Sequence, residues 1–194
     1  MPGRPFEGGE EDAQGRVVGV VRSVFYIRLV QPRHLPTLVL AALLLAVPAY
    51  AACTSPAAPE VVWRRCLLDG RDLTGVDLSR GVLRDSSLQR SRLMRARMVG
   101  VDAVEGRFVS ADLTGADLTE ATLRNADFTR AVLRGAIFSR ADLRGARLFR
   151  ADLTGADLTG ADLNGADFSS AILDGAVWTD GQRRCAAGSV GTCQ

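Results

Sequence analysis

A five-residue unit, Ala-Asp-Leu-x-Gly, recurs almost unchanged in residues 151–168, where the sequence reads ADLTGADLTGADLNGADF. A period of five fits neither regular element. On a helix, leucines five apart are rotated by about 140° from one another and form no apolar stripe. On a flat strand, an odd spacing sends successive leucines to opposite faces. The repeat therefore predicts a chain that turns after each unit and coils, so that every fifth residue faces a central axis.

The central Leu or Phe of each unit, position i, defines a register that extends from Leu68 to Trp178 without insertion or deletion. This register gives about 23 consecutive units over residues 66–180. Position i is predicted to be the core, and position i−2, which is Ala in every unit from Ala111 to Ala176, a second inward position. The first nine units are less regular, and we expect that end to be the less stable one. The predicted core ladder of the regular part is Leu113, Leu118, Leu123, Phe128, Leu133, Phe138, Leu143, Leu148, Leu153, Leu158, Leu163, Phe168 and Leu173.

Several units, among them Ala111-Asp112-Leu113, Ala116-Asp117-Leu118 and Ala151-Asp152-Leu153, match the pattern A-(D/N)-L-x-x. In this pattern the chain resembles the pentapeptide-repeat family. The resemblance implies an all-β fold, a right-handed quadrilateral parallel β-helix with one unit per side and 20 residues per coil. The units would then make nearly six coils.

The aspartates at position i−1 provide a separate indication of the 20-residue period. Eleven of these positions are Asp, and pairs separated by 5, 10, 15 or 25 residues occur five times each. At a separation of 20 residues there is one pair, Asp142 with Asp162. Carboxylates stacked about 4.8 Å apart repel by roughly 1 kcal/mol even in water. Avoidance at this one spacing favours four units per turn.

The N-terminal part is predicted to be an export signal. Residues 1–34 are interpreted as a disordered or basic leading region and 35–52 as a signal-peptide h-region with its cleavage site, or a membrane anchor. The apolar run Leu38–Val47 is too short for a comfortable membrane span and is typical of an h-region. Ala49 and Ala51 form an A-x-A cleavage site. A lipobox ending at Cys53 and an uncleaved anchor or absence of export are the alternatives.

Four cysteines are typical of an oxidising compartment. In the tail, residues 181–194, Cys185 and Cys193 are candidates for a disulfide that closes a terminal cap; the alternative is two free thiols on a frayed tail. Cys66 falls on an i−2 position, where it either replaces Ala in the core or bridges to Cys53 across the linker, residues 53–65. The second pairing competes with lipidation of Cys53.

The residues predict no catalytic, cofactor-binding or metal site. The one histidine, His34, precedes the predicted cleavage site, so no His-based triad or metal centre is expected in the mature chain. No phosphate-binding glycine motif occurs, since most glycines of the repeats fall at position i+2 of the units, where the corner geometry explains them. Aspartates bind Ca²⁺ in some other β-helix repeats, but a solvated, turn-supporting role is favoured here. We expect a protein that is not an enzyme and needs no cofactor.

The resemblance extends to family members that mimic DNA and protect DNA gyrase, which requires a strongly acidic surface. Residues 66–180 carry 17 acidic and 15 basic residues, a net charge of only −2, and the predicted export signal precedes them. The sequence therefore favours a bacterial extracytoplasmic protein, secreted or anchored as a lipoprotein, that acts as a rigid protein-interaction or structural module of the envelope. A cytosolic DNA mimic is the alternative, and an exported enzyme built on the solenoid a further one.

The sequence specifies neither the protein partner nor an oligomeric state. The N-terminal segment is the part that could associate with a membrane. No nucleic-acid partner is expected, because Arg84, Arg92, Arg97 and Arg107 fall on four different sides of a 20-residue coil rather than on one face.

Overall fold

The computed structural model describes residues 51–194, and five-residue units stack in parallel through residues 61–180 of this part. Residues 1–50, which include the predicted leading region and most of the signal segment, lie outside it. Every parallel bridge between described residues joins positions 20 apart, from Val62–Val82 to Asp157–Val177. Four units therefore complete one coil, as the spacing of the aspartates indicates. These contacts are isolated single-residue bridges because the chain turns after each short side.

The coils have four sides, which we name by the residues at position i. Side A carries Trp63, Leu83, Ala103, Leu123, Leu143 and Leu163; side B carries Leu68, Leu88, Phe108, Phe128, Leu148 and Phe168; side C carries Leu73, Leu93, Leu113, Leu133, Leu153 and Leu173; and side D carries Leu78, Met98, Leu118, Phe138, Leu158 and Trp178.

Backbone hydrogen bonds join each unit to the coils on both sides of it. In the unit 116–120, the N–H of Leu118 donates to the next coil at 2.7 Å and that of Glu120 at 2.9 Å. The N–H of Asp117 donates to the previous coil at 2.9 Å, and that of Ala116 closes the preceding turn at 2.9 Å. Four of the five N–H groups in this unit are thus paired through the backbone alone.

The residue at i+2 turns the chain in the left-handed region. Gly155 in the ADLTG repeat has a φ of 67°, and Glu120, at the same position of its own unit, has a φ of 58°. A side chain in this conformation costs roughly 1 kcal/mol, whereas glycine has no Cβ to clash. The strict fifth-position glycine of residues 151–165 therefore has a conformational cause.

The inward positions form one continuous core. The predicted ladder from Leu113 to Leu158 and Leu173 is fully buried. Leu163 and Phe168 are only partly buried, because they lie on sides A and B of the last coil, where no further coil covers them. The rings of Phe108 and Phe128 stack with centroids 4.9 Å apart.

The stack begins one unit before the predicted start at residue 66. Val62 bridges to Val82, and Val61 and Trp63 are buried, so residues 61–65 are a further unit rather than linker. The unit does not match the repeat pattern, because Val61 stands at i−2 instead of Ala and Trp63 at i instead of Leu. These larger side chains lie in the first coil, which has no full coil before it. The indole Nε1–H of Trp63 donates to the backbone oxygen of Ser55 at 3.2 Å.

A disulfide closes each end of the described stack. Cys53, in the 3-10 helix Ala51–Thr54, bridges to Cys66, which is both fully buried and disulfide-bonded. At the other end, Cys185 and Cys193 form the predicted disulfide, and the tail is a cap rather than a frayed end. The tail pairs antiparallel with sides C and D, through Ile172–Val190 and Val177–Arg184.

Over the same range, 51–194, no helix is long and apolar enough to cross a membrane.

Replacing Leu118 with Asp should lower the free energy of unfolding by about 4 kcal/mol or more, because the fully buried side chain would become an unpaired carboxylate. Urea unfolding followed by circular dichroism measures the change. Leu67→Asp is the matched control: Leu67 is 75% exposed, so the same substitution should cost little. Equal losses in the two variants would contradict the core assignment.

Removing the C-terminal disulfide with Cys185→Ser and Cys193→Ser should cost about 2.5 kcal/mol, since the sequence separation is 8 residues. Hydrogen exchange should accelerate at the amides of Leu173 and Gly175, which donate to the tail oxygens of Ser189 and Cys185. A Cys53→Ser, Cys66→Ala variant should leave those two amides protected. Unchanged exchange in the tail variant would show that the disulfide does not hold the cap.

Candidate interaction surface

The outward surface consists of the side chains at i−1, i+1 and i+2, and the aspartates at i−1 have a structural task in it. Oδ1 of Asp117 accepts the backbone N–H of Thr119 at 3.0 Å and its hydroxyl at 2.6 Å. Asp157 binds Thr159 in the same way, at 2.9 and 2.5 Å. The carboxylate thus pairs the one N–H of the unit that the backbone leaves free, which is an Asx turn.

Arginines join neighbouring coils on the outside. From position i+1, Arg84 pairs with Asp102 at 2.6 Å and Arg134 with Asp152 at 2.5 Å. From position i+2, Arg140 pairs with Glu120 at 2.7 Å. Each of these arginines is about half exposed or more, so a single pair contributes only about 0 to 1 kcal/mol.

Charge alternates along the side C column, where Arg92 bridges to Asp72 and to Asp112. The guanidinium of Arg92 pairs with the carboxylate of Asp72. This hydrogen bond, followed by those from Thr74, lowers the pKa of Asp72 from 3.8 to about 2. Asp72 therefore stays ionised far into the acid range.

Asp142 and Asp162, the one pair of aspartates that the described bridges join, share an arginine. Nη2 of Arg144 lies 2.7 Å from a carboxylate oxygen of Asp142, and its Nε lies 3.6 Å from one of Asp162. Hydrogen bonding to Arg144 lowers the pKa of Asp142 against the opposing effect of burial. The sequence already indicates this pairing, because Asp142 and Arg144 occupy positions i−1 and i+1 of the same unit.

The charges are distributed unevenly around the rod. Side B has more basic than acidic residues, and side D, which lies opposite to it, has more acidic than basic residues. The register places Arg84, Arg92, Arg97 and Arg107 on four different sides, as expected. Side B carries Arg90, Arg107, Arg130, Arg147 and Arg150 against Asp69, Asp127 and Asp167, and side D carries Asp77, Asp117, Glu120, Asp157 and Asp180 against Arg80, Arg97 and Arg140.

Grooves on this surface are shallow and polar. The one on side A has a volume of about 470 Å³ and is lined by Arg124, Arg144, Glu105 and Asn125, among others. No group of three or more His, Cys, Asp or Glu side chains within the described residues is arranged to hold a metal ion. The groove and the charged columns suit contact with a partner surface more than enclosure of a small ligand.

The structure does not test the predicted processing site. Ala49 lies outside the described residues, and Ala51 is the first residue of the 3-10 helix Ala51–Thr54. Cleavage there stays a prediction. Cys53 is placed in a disulfide, so its Sγ atom is bonded to that of Cys66.

Solved structures show the same architecture. The chain is 31% identical to HetL, a pentapeptide repeat protein involved in heterocyst differentiation regulation from the cyanobacterium Nostoc sp. strain PCC 7120, with a TM-score of 0.54. The match covers 63% of this chain and 62% of HetL, so the chain spans less than two thirds of that protein.

Two further solved proteins are less similar. A pentapeptide repeat protein from the Arabidopsis thaliana thylakoid lumen is 28% identical, with 64% of this chain and 85% of that one covered and a TM-score of 0.45. A trypsin-treated form of QnrB1, a plasmid-mediated fluoroquinolone resistance protein, is 23% identical, with 62% and 71% covered and a TM-score of 0.39. No curated protein sequence is significantly similar to this chain.

The sequence itself matches the family model for pentapeptide repeats, in eight copies, over residues 64–105, 111–148 and 146–177. These segments amount to more than half of the chain. Proteins of this kind form right-handed quadrilateral β-helices, the fold class that the sequence predicts. With the 20-residue register of the bridges and the repeated Asx turns, this match shows that the chain belongs to the pentapeptide-repeat family.

Proposed function

We propose that the chain is an exported bacterial protein without enzymatic activity, which acts as a rigid protein-interaction or structural module of the cell envelope. The observation that carries the proposal is the pair of disulfides, Cys53–Cys66 and Cys185–Cys193. Together they use all four cysteines of the sequence. Disulfides persist in secreted and periplasmic proteins and are rare in the cytosol.

The surface supports an interaction role over a catalytic one. A rod whose side chains are fixed by coil-to-coil ion pairs and Asx turns presents its charged columns with little ordering cost on binding. The carboxylates in these columns are engaged by Thr and Arg side chains, as Asp117 is by Thr119 and Asp152 by Arg134. A partner protein with a complementary charged surface fits these faces best.

The N-terminal disulfide bears on the form of export. A lipid thioether and a disulfide would use the same Sγ atom of Cys53, so the two are mutually exclusive. The Cys53–Cys66 bridge favours cleavage after Ala51, which leaves the thiol free to pair.

A second candidate, cytosolic DNA mimicry of the gyrase-protecting type, is favoured by side D alone. Its acidic residues exceed its basic ones by five to three. Side B has the opposite excess, so the mimicry would have to use one side of the rod. Cytosolic location with reduced thiols is the result that would favour this candidate.

Expression of the full sequence in a bacterial host should yield a periplasmic or secreted protein that begins at Ala52 and contains two disulfides. Mass spectrometry of the fractionated cells, with and without reduction, measures both. An acylated Cys53, lost in Cys53→Ser, would instead identify a lipoprotein. Intact protein beginning at Met1, in the cytosol and with four free thiols, would refute export.

The protein should bind DNA or heparin weakly, and only below about 50 mM salt, because Arg92 and Arg97 lie on different sides and even side B has five basic residues against three acidic ones. Filter binding or fluorescence anisotropy at two salt concentrations measures this. The variant Arg92→Ala with Arg97→Ala should differ little from the parent, as should a control with Arg80→Ala and Arg140→Ala. Micromolar binding at physiological salt that only the first variant abolishes would show that these arginines form a polyanion site.

A further inference from the structure

The last coil leaves half of its backbone edge unpaired. We call residues 161–170, on sides A and B of this coil, the C-terminal edge. The N–H groups of Leu163, Gly165 and Phe168 have no acceptor among the described residues, and the carbonyl oxygens of Ala161 and Ala166 have no donor there. These are the same groups that pair with the next coil everywhere else in the stack. An edge of this kind is a template for another extended chain.

Sides C and D of the same coil show how such an edge is covered. There the N–H of Leu173 donates to Ser189 at 2.9 Å, and the carbonyl of Ala171 accepts from Gly191 at 2.9 Å. The tail makes one bridge on each side, at Arg184 and Val190, and turns between them. It comes close to side B at Gly191, where a Cβ would lie 3.7 Å from the carbonyl oxygen of Phe168, and then turns back, since the N–H of Ala186 donates to the carbonyl oxygen of Gln194 at 2.9 Å. The described tail therefore covers sides C and D.

Apolar side chains of the C-terminal edge are left partly accessible. Leu163, Ala166 and Phe168 pack against the core but are only partly buried, whereas Leu143 and Leu148, one coil earlier, are fully buried. The ring of Phe168 contacts that of Trp178, with centroids 5.8 Å apart. In a segment paired with this edge, alternate side chains would point inward and contact Leu163, Ala166 and Phe168, so apolar residues suit those positions. The side chain between two such residues would point outward.

The outward-facing residue of a paired segment would lie next to an aspartate of the C-terminal edge. Asp162 and Asp167 occupy position i−1 of the two uncovered units, where the facing residue of a paired segment would lie. A second copy of this chain could match the donors and acceptors of the edge antiparallel, but it would set Asp162 or Asp167 against the same residues of its partner. Two aspartates face each other across coils once in the described stack, at Asp142 and Asp162, and there Arg144 lies between the two carboxylates. Self-pairing of the edge would add another aspartate pair, whereas a basic residue in the facing position would be attracted, so the edge disfavours self-pairing and favours a basic residue.

We propose that the C-terminal edge is a docking site for an extended segment of a partner protein in which a basic residue is flanked by apolar ones. The segment adds to the stack by β-augmentation and turns at the corner between sides A and B, as the tail does between C and D. The inference rests on the proposed role as an interaction module and assigns it a place and a partner chemistry.

The tail itself provides the probe. A synthetic disulfide-closed peptide copies residues 183–193 and carries arginine at both bridge positions, Arg184 and, through Val190→Arg, position 190. Arg183→Val and Ser189→Ala place apolar residues beside these two arginines in both this peptide and its matched control. A matched peptide has Arg184→Glu and Val190→Glu. Titration into the full ¹⁵N-labelled protein, followed by amide chemical shifts, should move Leu163, Gly165 and Phe168, with the arginine peptide binding at least about tenfold more tightly.

Removing the charge from the edge should remove the preference. In Asp162→Asn with Asp167→Asn, the side-chain oxygens can still accept the backbone N–H groups of Asn164 and Ser169, which they accept at 3.1 and 2.9 Å, so the turns are kept. The two peptides should then bind within about twofold of each other. Asp117→Asn, at the same position of a central coil, is the control and should leave the preference intact.

Three results would overturn the proposal: no shift at the three edge amides, equal binding of the two peptides to the parent protein, or shifts confined to Leu173 and Gly175, which would mean that the peptide displaces the tail. Concentration-dependent shifts of the edge amides without peptide would identify a self-association interface instead, and would also contradict it. None of these readouts depends on where the protein is located, so failure here is distinguishable from failure of the export proposal.

Discussion

Every backbone N–H of a five-residue unit must find an acceptor while the chain turns, and the fold depends on how this requirement is met. Two N–H groups bond to the next coil, one to the previous coil and one across the preceding turn. In most units that have Asp at i−1, the fifth, at i+1, bonds to that Asp side chain, as Thr119 does to Asp117. The Ala, Asp, Leu and Gly of the repeat thus have separate tasks: a small inward side chain, an acceptor for the turn, a core side chain and a left-handed corner.

Because each unit contacts only its neighbours in the stack, the ends differ physically from the middle. An internal unit is covered on both sides by near copies of itself, whereas a terminal coil exposes both apolar floor and unpaired backbone. The chain treats its two ends differently. At the start, the disulfide of Cys66 and the indole of Trp63 hold residues 51–60 against the first coil, and Leu68 and Leu73 stay buried. At the other end, the disulfide-closed tail covers two sides and leaves Leu163 and Phe168 partly accessible.

The regular part of this architecture could be predicted from the sequence because the period of five and the avoidance of aspartates 20 apart are each properties of many residues. The features that escaped prediction occur once. Trp63 and Val61 belong to the stack, but they do not resemble Ala and Leu, since a first coil is packed differently from an internal one. Leu163 and Phe168 have the repeat pattern of buried residues, yet their exposure depends on how far the tail reaches. For Cys66, the sequence offers burial and bridging as alternatives, and the structure has both.

The coil-to-coil ion pairs also set the phase of the array. Adding a single unit would preserve the core, since every inward position would again be Ala and Leu, but it would rotate all later units by a quarter turn relative to the earlier ones. Arg84 and Asp102 on side A, or Arg134 and Asp152 on side C, would then be parted if the unit fell between them. A lengthening by 20 residues keeps every column on its own side. Insertion or deletion of whole coils therefore preserves both the core and the surface ion pairs. Insertion or deletion of one, two or three units preserves the core but separates the residues that pair across coils.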